Sequence, residues 1–323
     1  MNKTTRNVLI GAGIAVAGAA VIGVVHHYTT KYLMKLALNR EGPKATVERA
    51  EKIMSSGDLS QTLEKLMDAA KALEEIEHET IEITADDGTV LVGHWFHKET
   101  DKRAIVAMHG WRSNWSRDFG TIAPFWLSND CSVLFAEQRG QGNSGGEYMG
   151  FGLLERFDCR DWVNKVNELT EEGLPLYLAG LSMGATTVLM TAGFALPDNL
   201  KGIIADCGFT SPHAIWEHVV ENNLKLPFGL YSRAAKDIFE DRVQIPSDSY
   251  STLLSLQSCK VPVLFIHGTD DNFVPIEMTY ENYKSCVSEK HLFVVPGAEH
   301  GTSYLIDKAG YEKAVTKFFK AYD

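Results

Sequence analysis

Gly180-Leu181-Ser182-Met183-Gly184 sets a serine between two glycines, directly after the apolar run Leu176-Tyr177-Leu178-Ala179 and at the opening of a helical stretch. A strand that turns sharply into a helix through such a sequence lifts the serine hydroxyl above the sheet, and the glycines remove side chains that would obstruct the turn. The helix start offers free amide N–H groups and a positive dipole end to a developing oxyanion. A serine hydroxyl is a weak nucleophile, so acyl transfer also needs a histidine base and an acid that holds it. Two downstream segments supply both types: His267-Gly268-Thr269-Asp270-Asp271-Asn272-Phe273-Val274-Pro275 and Pro296-Gly297-Ala298-Glu299-His300-Gly301. The order serine, acid, histidine is therefore available, with Asp270 and Asp271 as rival acids.

These segments can meet only if the runs before them are neighbouring strands that point the same way. Six short, almost wholly apolar runs (Ala104 to Met108, Val133 to Ala136, Leu176 to Ala179, Gly202 to Ala205, Val261 to Ile266, Leu292 to Val295) read as strands buried on both faces. Helical stretches lie near Phe119 to Asn129, Leu154 to Thr170, Met183 to Ala195 and Tyr311 to Ala321. Glu79 to Ala85 and Thr89 to Phe96 alternate around Asp87-Gly88, as an antiparallel hairpin would. The pattern predicts a doubly wound, mostly parallel α/β sheet of eight strands over residues 79–323. Between Asp206 and Val261 lie 54 residues, too many for a simple crossover, with helices expected around Ala214 to Asn223 and Leu230 to Phe239. This insertion, about 209–257, reads as a small helical lid over the carboxyl edge of the sheet.

At this point the sequence resembles the α/β-hydrolase superfamily over nearly all of Glu79 to Asp323, with bacterial serine hydrolases related to prolyl-oligopeptidase-type catalytic domains and small esterases nearest in character. The resemblance implies that Asp271 of His267-Gly268-x-x-Asp271-x-x-Val274-Pro275 is the triad acid and His300 the general base, with Ser182 the nucleophile. It implies an oxyanion hole from the backbone amides of Met183 and of Trp111, the latter in an H-G-x motif whose His109 has a structural role. Glu137-Gln138-Arg139-Gly140-Gln141-Gly142-Asn143-Ser144 is similar to the family's D-x-R-G-x-G-x-S loop, with Glu137 in place of the usual Asp and Arg139 expected to anchor the loop through an ion pair. No cofactor is implied.

Composition limits the alternatives. The chain of 323 residues carries 31 Lys+Arg against 42 Asp+Glu, a net charge of −11, which disfavours nucleic acid as a partner. Five scattered cysteines without a C-x-x-C, and no H-E-x-x-H, give neither a disulfide scaffold nor a metal site. Residues 1–40 hold five basic residues and no acid around an unbroken run of 18 apolar or glycine residues, Val8 to Val25. That run is expected to be a single-pass membrane anchor with the catalytic domain extracytoplasmic, a cleaved signal peptide or a cytoplasmic-facing domain being the alternatives. Residues 41–78 read as a helical spacer.

The expected activity is a serine esterase for short to medium apolar acyl groups, with a peptidase as the enzymatic alternative and a non-catalytic membrane-anchored binding protein as the alternative from another class. Trp115 and Phe119 after the third strand, and Trp216, Phe228 and Tyr231 in the lid, are expected to line the acyl cleft. Removal of residues 1–40 is expected to leave an active hydrolase, because the apolar run belongs to no strand.

Overall fold

Strands without polar alternation need cover on both faces, and the fold provides it. The computed structural model describes residues 25–42, 59–170 and 173–323. Eight strands form one sheet: β1 (Glu79–Thr84), β2 (Val90–Phe96), β3 (Arg103–Met108), β4 (Cys131–Ala136), β5 (Leu176–Leu181), β6 (Leu200–Asp206), β7 (Val263–Gly268) and β8 (Lys290–Val295). Their spatial order is β1-β2-β4-β3-β5-β6-β7-β8. Only the β1–β2 and β2–β4 pairings are antiparallel; the rest are parallel. Met108 pairs with Gly180, Leu181 with Asp206, and Asp206 with Ile266. This register brings the residues that follow β3, β5, β6 and β7 out along one carboxyl edge, where open α/β sheets place their sites.

The described helices are α1 (residues 25–38), α2 (Leu59–Glu74), α3 (Trp115–Phe119), α4 (Ala123–Ser128), α5 (Glu155–Leu169), α6 (Met183–Thr191), α7 (Pro212–His218), α8 (Phe228–Val243), α9 (Thr252–Leu256), α10 (Ile276–Ser285), α11 (Ser303–Ile306) and α12 (Lys308–Tyr322). Within β3, Val106 and Met108 enter a core shared with Trp162, Val188 and Phe265. Ile105 and Ala107 enter the opposite core, with Trp126, Phe135 and Phe319. Both faces being apolar explains why the run lacks a period of two. A third cluster lies over the carboxyl edge and combines Met34 and Leu38 of α1 with Phe151, Met183, Phe209, Trp216, Phe239 and Val274.

Several expectations are corrected. The helix expected near Phe119 to Asn129 is two helices, because Pro124 starts α4 and Gly120 lies tight against α2; a β-carbon at Gly120 would stand 2.7 Å from the backbone of Ala69. β8 is an edge strand, so it is only partly buried rather than covered on both faces. The helices α9 and α11 span only 5 and 4 residues, too short for a helical period to show, and α10, with 10 residues, carries few apolar positions. The first expected lid helix ends at His218 and continues as a single π turn, Val219–Asn223. Among the described residues no helix is long and apolar enough to cross a membrane, and the run Val8 to Val25, apart from Val25 itself, lies outside the described residues.

Candidate active site

Ser182 joins β5 to α6 with φ 55 and ψ −117, a left-handed backbone that a residue with a β-carbon seldom adopts. Both flanking glycines are required by contact. A β-carbon at Gly180 would lie 2.3 Å from Gly184 O, and one at Gly184 would lie 1.8 Å from Met108 O. The Ser182 N–H donates to Asp206 O at 2.9 Å, tying the turn to β6. The serine is almost buried yet reaches the base: its Oγ–H donates to His300 Nε2 at 2.8 Å.

His300 Nδ1–H donates to Asp271 Oδ2 at 2.7 Å, which leaves Nε2 with the lone pair that accepts from Ser182. Asp271 is held from three further directions. Its Oδ1 accepts the N–H groups of Phe273 and Val274, each at 2.9 Å, and His267 Nε2–H is shared between Asp271 Oδ2 at 3.2 Å and Val274 O at 2.9 Å. Val274 O can only accept, which fixes the proton on Nε2, so His267 Nδ1 accepts from the Thr279 hydroxyl at 2.6 Å. Burial alone would raise the Asp271 pKa, but the hydrogen bonds from His267 and His300 outweigh it and hold the carboxyl well below the usual carboxylate range. Asp270, the rival acid, accepts from Thr269 Oγ1 and passes its own N–H to Ala298 O at 3.0 Å, so it shapes the turn and does not meet His300.

Met183 directly follows the serine, and Gly110, the residue before Trp111, packs beside it. Met183 is the first residue of α6, so its N–H has no acceptor within the helix. Gly110 packs on the serine, since a β-carbon there would lie 3.4 Å from Ser182 Cβ. Asp118 of α3 fixes this loop by accepting the Gly110 N–H at 2.6 Å and the Ser113 hydroxyl. His109 is buried, donates Nδ1–H to Gly110 O at 2.8 Å and accepts the Gln138 N–H at Nε2 at 3.1 Å. Burial lowers its pKa, so it is a neutral strut between two loops.

The Glu137 substitution keeps a role. Its buried carboxylate accepts from His94 Nε2 at 2.8 Å and from the Asn143 backbone N–H, closing the loop on itself. Arg139 anchors the loop bidentately on Asp158 and also reaches Asp87.

The aromatic residues divide. Trp111 lies 6.4 Å from Phe151 and 6.3 Å from Phe273, and Phe273 lies 5.1 Å from the His300 ring, so an apolar surface leads up to the base. Trp115 is instead buried against His94, Phe96 and Phe135, and Phe119 against Trp126 and Phe135. These two do not form the cleft wall expected of them, because α3 turns them into the core on the sheet face away from Met183. Phe119 does border a cavity of about 30 Å³ beneath the site, with Asp118, Leu181, Asp206, Gly301 and Tyr304, which has room for a water molecule or two and not for an acyl chain. Trp216 packs on Phe151 and Phe239, Phe228 on His213, and Tyr231 on His26, so all three build the insertion and its contact with α1. The donor atoms of Cys207, Asp271 and His300 lie within 4.8 Å of one another, a grouping that the serine site itself accounts for.

Sequence reasoning missed the part played by residues 25–40. The Arg112 guanidinium donates to Leu36 O at 2.7 Å, Asn39 O at 2.5 Å and Arg40 O at 3.3 Å, and the Trp111 indole N–H donates to Ala37 O at 2.8 Å. Arg40 in turn donates to Ser144 O at 2.6 Å and to Gly142 O in the Glu137 loop. The C-terminus of α1 thus clamps the loop that carries Trp111, so residues 36–40 pack on the catalytic-edge loops and do not stand apart from them.

With this geometry established, comparison with known proteins places the fold. A family model described as serine aminopeptidase, S33, matches residues 99–242. The uncharacterized protein YqkD of Bacillus subtilis is 24% identical over 313 residues, covering 97% of each chain. The Pyrococcus furiosus esterase Pf2001 superposes with a TM-score of 0.64 at 24% identity, over 78% of this chain and 93% of the esterase. An acylaminoacyl peptidase of Pyrococcus horikoshii superposes with a TM-score of 0.56 at 16% identity, over 77% of this chain and 43% of the peptidase. The chain has the α/β-hydrolase fold.

The same edge of the fold also buries a second carboxyl, Asp206, whose Oδ1 accepts from the Ser303 hydroxyl at 3.2 Å just after the His300 turn. Burial raises its pKa from 3.8 to about 6, against the opposing pull of His267, Ser303 and His300. A raised acid means that the folded state keeps a proton which the unfolded chain has lost. The associated stability is present below about pH 4 and is lost as pH rises through about 6, by an amount on the order of 3 kcal/mol. Asp206→Asn is neutral throughout, so its stability relative to wild type should rise between about pH 4 and pH 6 and then level off; paired denaturant titrations across this range check it. A second outcome concerns the clamp. A chain starting at residue 25 should keep the activity of the full hydrolase against a p-nitrophenyl ester, while one starting at residue 43 should lose most of it with KM and kcat both affected, as steady-state assays of the two folded truncations would show.

Proposed function

We propose that this α/β-hydrolase is a serine esterase acting on carboxylic esters of short to medium apolar acyl groups. The observation that carries the reading is the continuous hydrogen-bond line Ser182–His300–Asp271 at the start of α6. Ser182 Oγ attacks the ester carbonyl as His300 Nε2 takes its proton, and Asp271 stabilises the imidazolium that forms. The amides of Met183 and Trp111 receive the tetrahedral oxyanion. His300 then returns the proton to the leaving alcohol and activates water to cleave the acyl-enzyme.

The apolar surface of Trp111, Phe151 and Phe273 beside His300 supports an apolar acyl group. Each methylene buried there contributes up to about 0.8 kcal/mol, so a few added carbons should raise kcat/KM by roughly ten-fold until the surface is covered. A peptidase is the second reading, favoured by the description of the matched family model and by the acylaminoacyl peptidase neighbour. An amide demands accurate protonation of its leaving nitrogen, whereas an aryl ester does not. The proposal includes anchoring of the full chain through Val8 to Val25 with the hydrolase extracytoplasmic; sedimentation of full-length chain with membranes, and a sidedness assay with added protease, test that part.

A panel of p-nitrophenyl esters from acetate to palmitate beside aminoacyl anilides tests the activity. Short to medium esters should be preferred, with Ser182→Ala and His300→Ala each lowering kcat by several orders of magnitude and Asp271→Asn costing far more than Asp270→Asn. A clear anilide preference would favour the peptidase reading. Folded Ser182→Ala with most of the activity would remove the proposal.

A further inference from the structure

Ser288 joins two thiols that come from distant parts of the fold. Cys259 stands between α9 and β7, and Cys286 directly follows α10. The Ser288 hydroxyl lies 3.2 Å from Cys286 Sγ and 3.5 Å from Cys259 Sγ, so one hydroxyl bridges the two thiols, and the Cys259 thiol donates to Val261 O at 3.3 Å. The backbone fixes both residues on the same element: Cys259 N–H and Val287 N–H each donate to Leu256 O, at 3.4 and 3.2 Å. Lys290 completes the group by donating Nζ to Cys286 O at 2.8 Å. Val287, beside Cys286, is 66% exposed, so the pair sits just under the surface at the sheet's edge-strand side. All five cysteines are buried, and Cys131, Cys159 and Cys207 lie apart from this pair, within or at the ends of other elements.

We propose that Cys259 and Cys286 are a redox pair that closes to a disulfide and staples the arm carrying Asp271. The segment enclosed by the two cysteines contains β7, His267, Asp271, Val274 and all of α10, that is, the acid and the groups that hold it. The neighbouring Cys259 thiol, with the Ser288 hydroxyl and Lys290, draws the Cys286 thiol below its ordinary value, while Cys259 is pushed up. Cys286 is therefore the attacking thiolate. It attacks one sulfur of a small disulfide oxidant such as oxidised glutathione and releases one thiolate, which takes up a proton. Cys259 then loses its proton and attacks the Cys286 sulfur of the mixed disulfide, releasing the second thiol. The two cysteines lose two protons and two electrons in all, and the oxidant becomes two thiols.

Full-length chain is incubated with oxidised glutathione, its remaining thiols are alkylated after denaturation, and peptides are mapped without reduction. A Cys259–Cys286 cross-linked peptide is expected, with Cys131, Cys159 and Cys207 alkylated. The oxidised chain should melt higher by roughly 5–10 °C, a shift reversed by dithiothreitol. Cys259→Ser and Cys286→Ser should each lose both the cross-link and the shift while keeping the melting temperature of the reduced chain within a few degrees. A stable glutathione adduct on Cys286 without cross-linking, a bridge to another cysteine, absence of reaction, or a cross-link that leaves the melting temperature unchanged would each overturn the proposal. These readouts do not depend on the esterase reading.

Discussion

A backbone at φ 55 costs a residue with a β-carbon on the order of 1–3 kcal/mol, and Ser182 keeps it because the surrounding chain leaves no alternative. Gly184 lies so close to Met108 O that α6 can only start where it does, and Gly180 yields the same space from below. The Ser182 N–H is already committed to Asp206 O on the adjoining strand. The parallel register that aligns Met108, Gly180 and Asp206 is therefore the condition for the elbow. The elbow in turn decides where a base must stand, and the loops after β7 and β8 supply it there.

The electrostatics follow from burying two carboxyls near one histidine. Asp271 is charged because hydrogen bonds from His300, His267, Phe273 and Val274 replace the water it has lost. Asp206 has hydroxyl partners and only more distant histidines, so burial dominates and its proton is retained further toward neutrality. The two environments push the two acids apart, leaving one carboxylate that stays charged far into acid to orient His300 and one that takes up its proton at about pH 6 on the Ser303 side of the same turn. His267 serves the acid and not the serine, which is why two histidines at the carboxyl edge do not compete.

How much of this was legible depended on the range of the interaction. The glycine-flanked serine, the strand before it and the helix after it are local, and so are the turns that bear Asp271 and His300; the sheet could be read because apolar runs of strand length recur between helices. Trp115 and Phe119 were misplaced because a residue just beyond a strand can face either core, and only the close approach of α2 to Gly120 determines how α3 is turned. Asp118 gave no signal, since an acid in the first turn of a short helix is ordinary. The clamp by Arg112 was invisible because its acceptors are backbone carbonyls more than seventy residues away, which leave no trace in side-chain pattern. Glu137 looked like a departure, yet a carboxylate one methylene longer still closes its loop through His94 and Asn143.

The central claim is that the strained elbow and the histidine–carboxylate pair make Ser182 a nucleophile. Covalent labelling by a fluorophosphonate, followed by intact mass and peptide mapping, measures this without any assumption about substrate. One phosphonyl group per chain, carried on Ser182, is expected, with the labelling rate falling steeply in folded His300→Ala. A chain that remains unlabelled, or one labelled at another residue and equally well in Ser182→Ala, would contradict it.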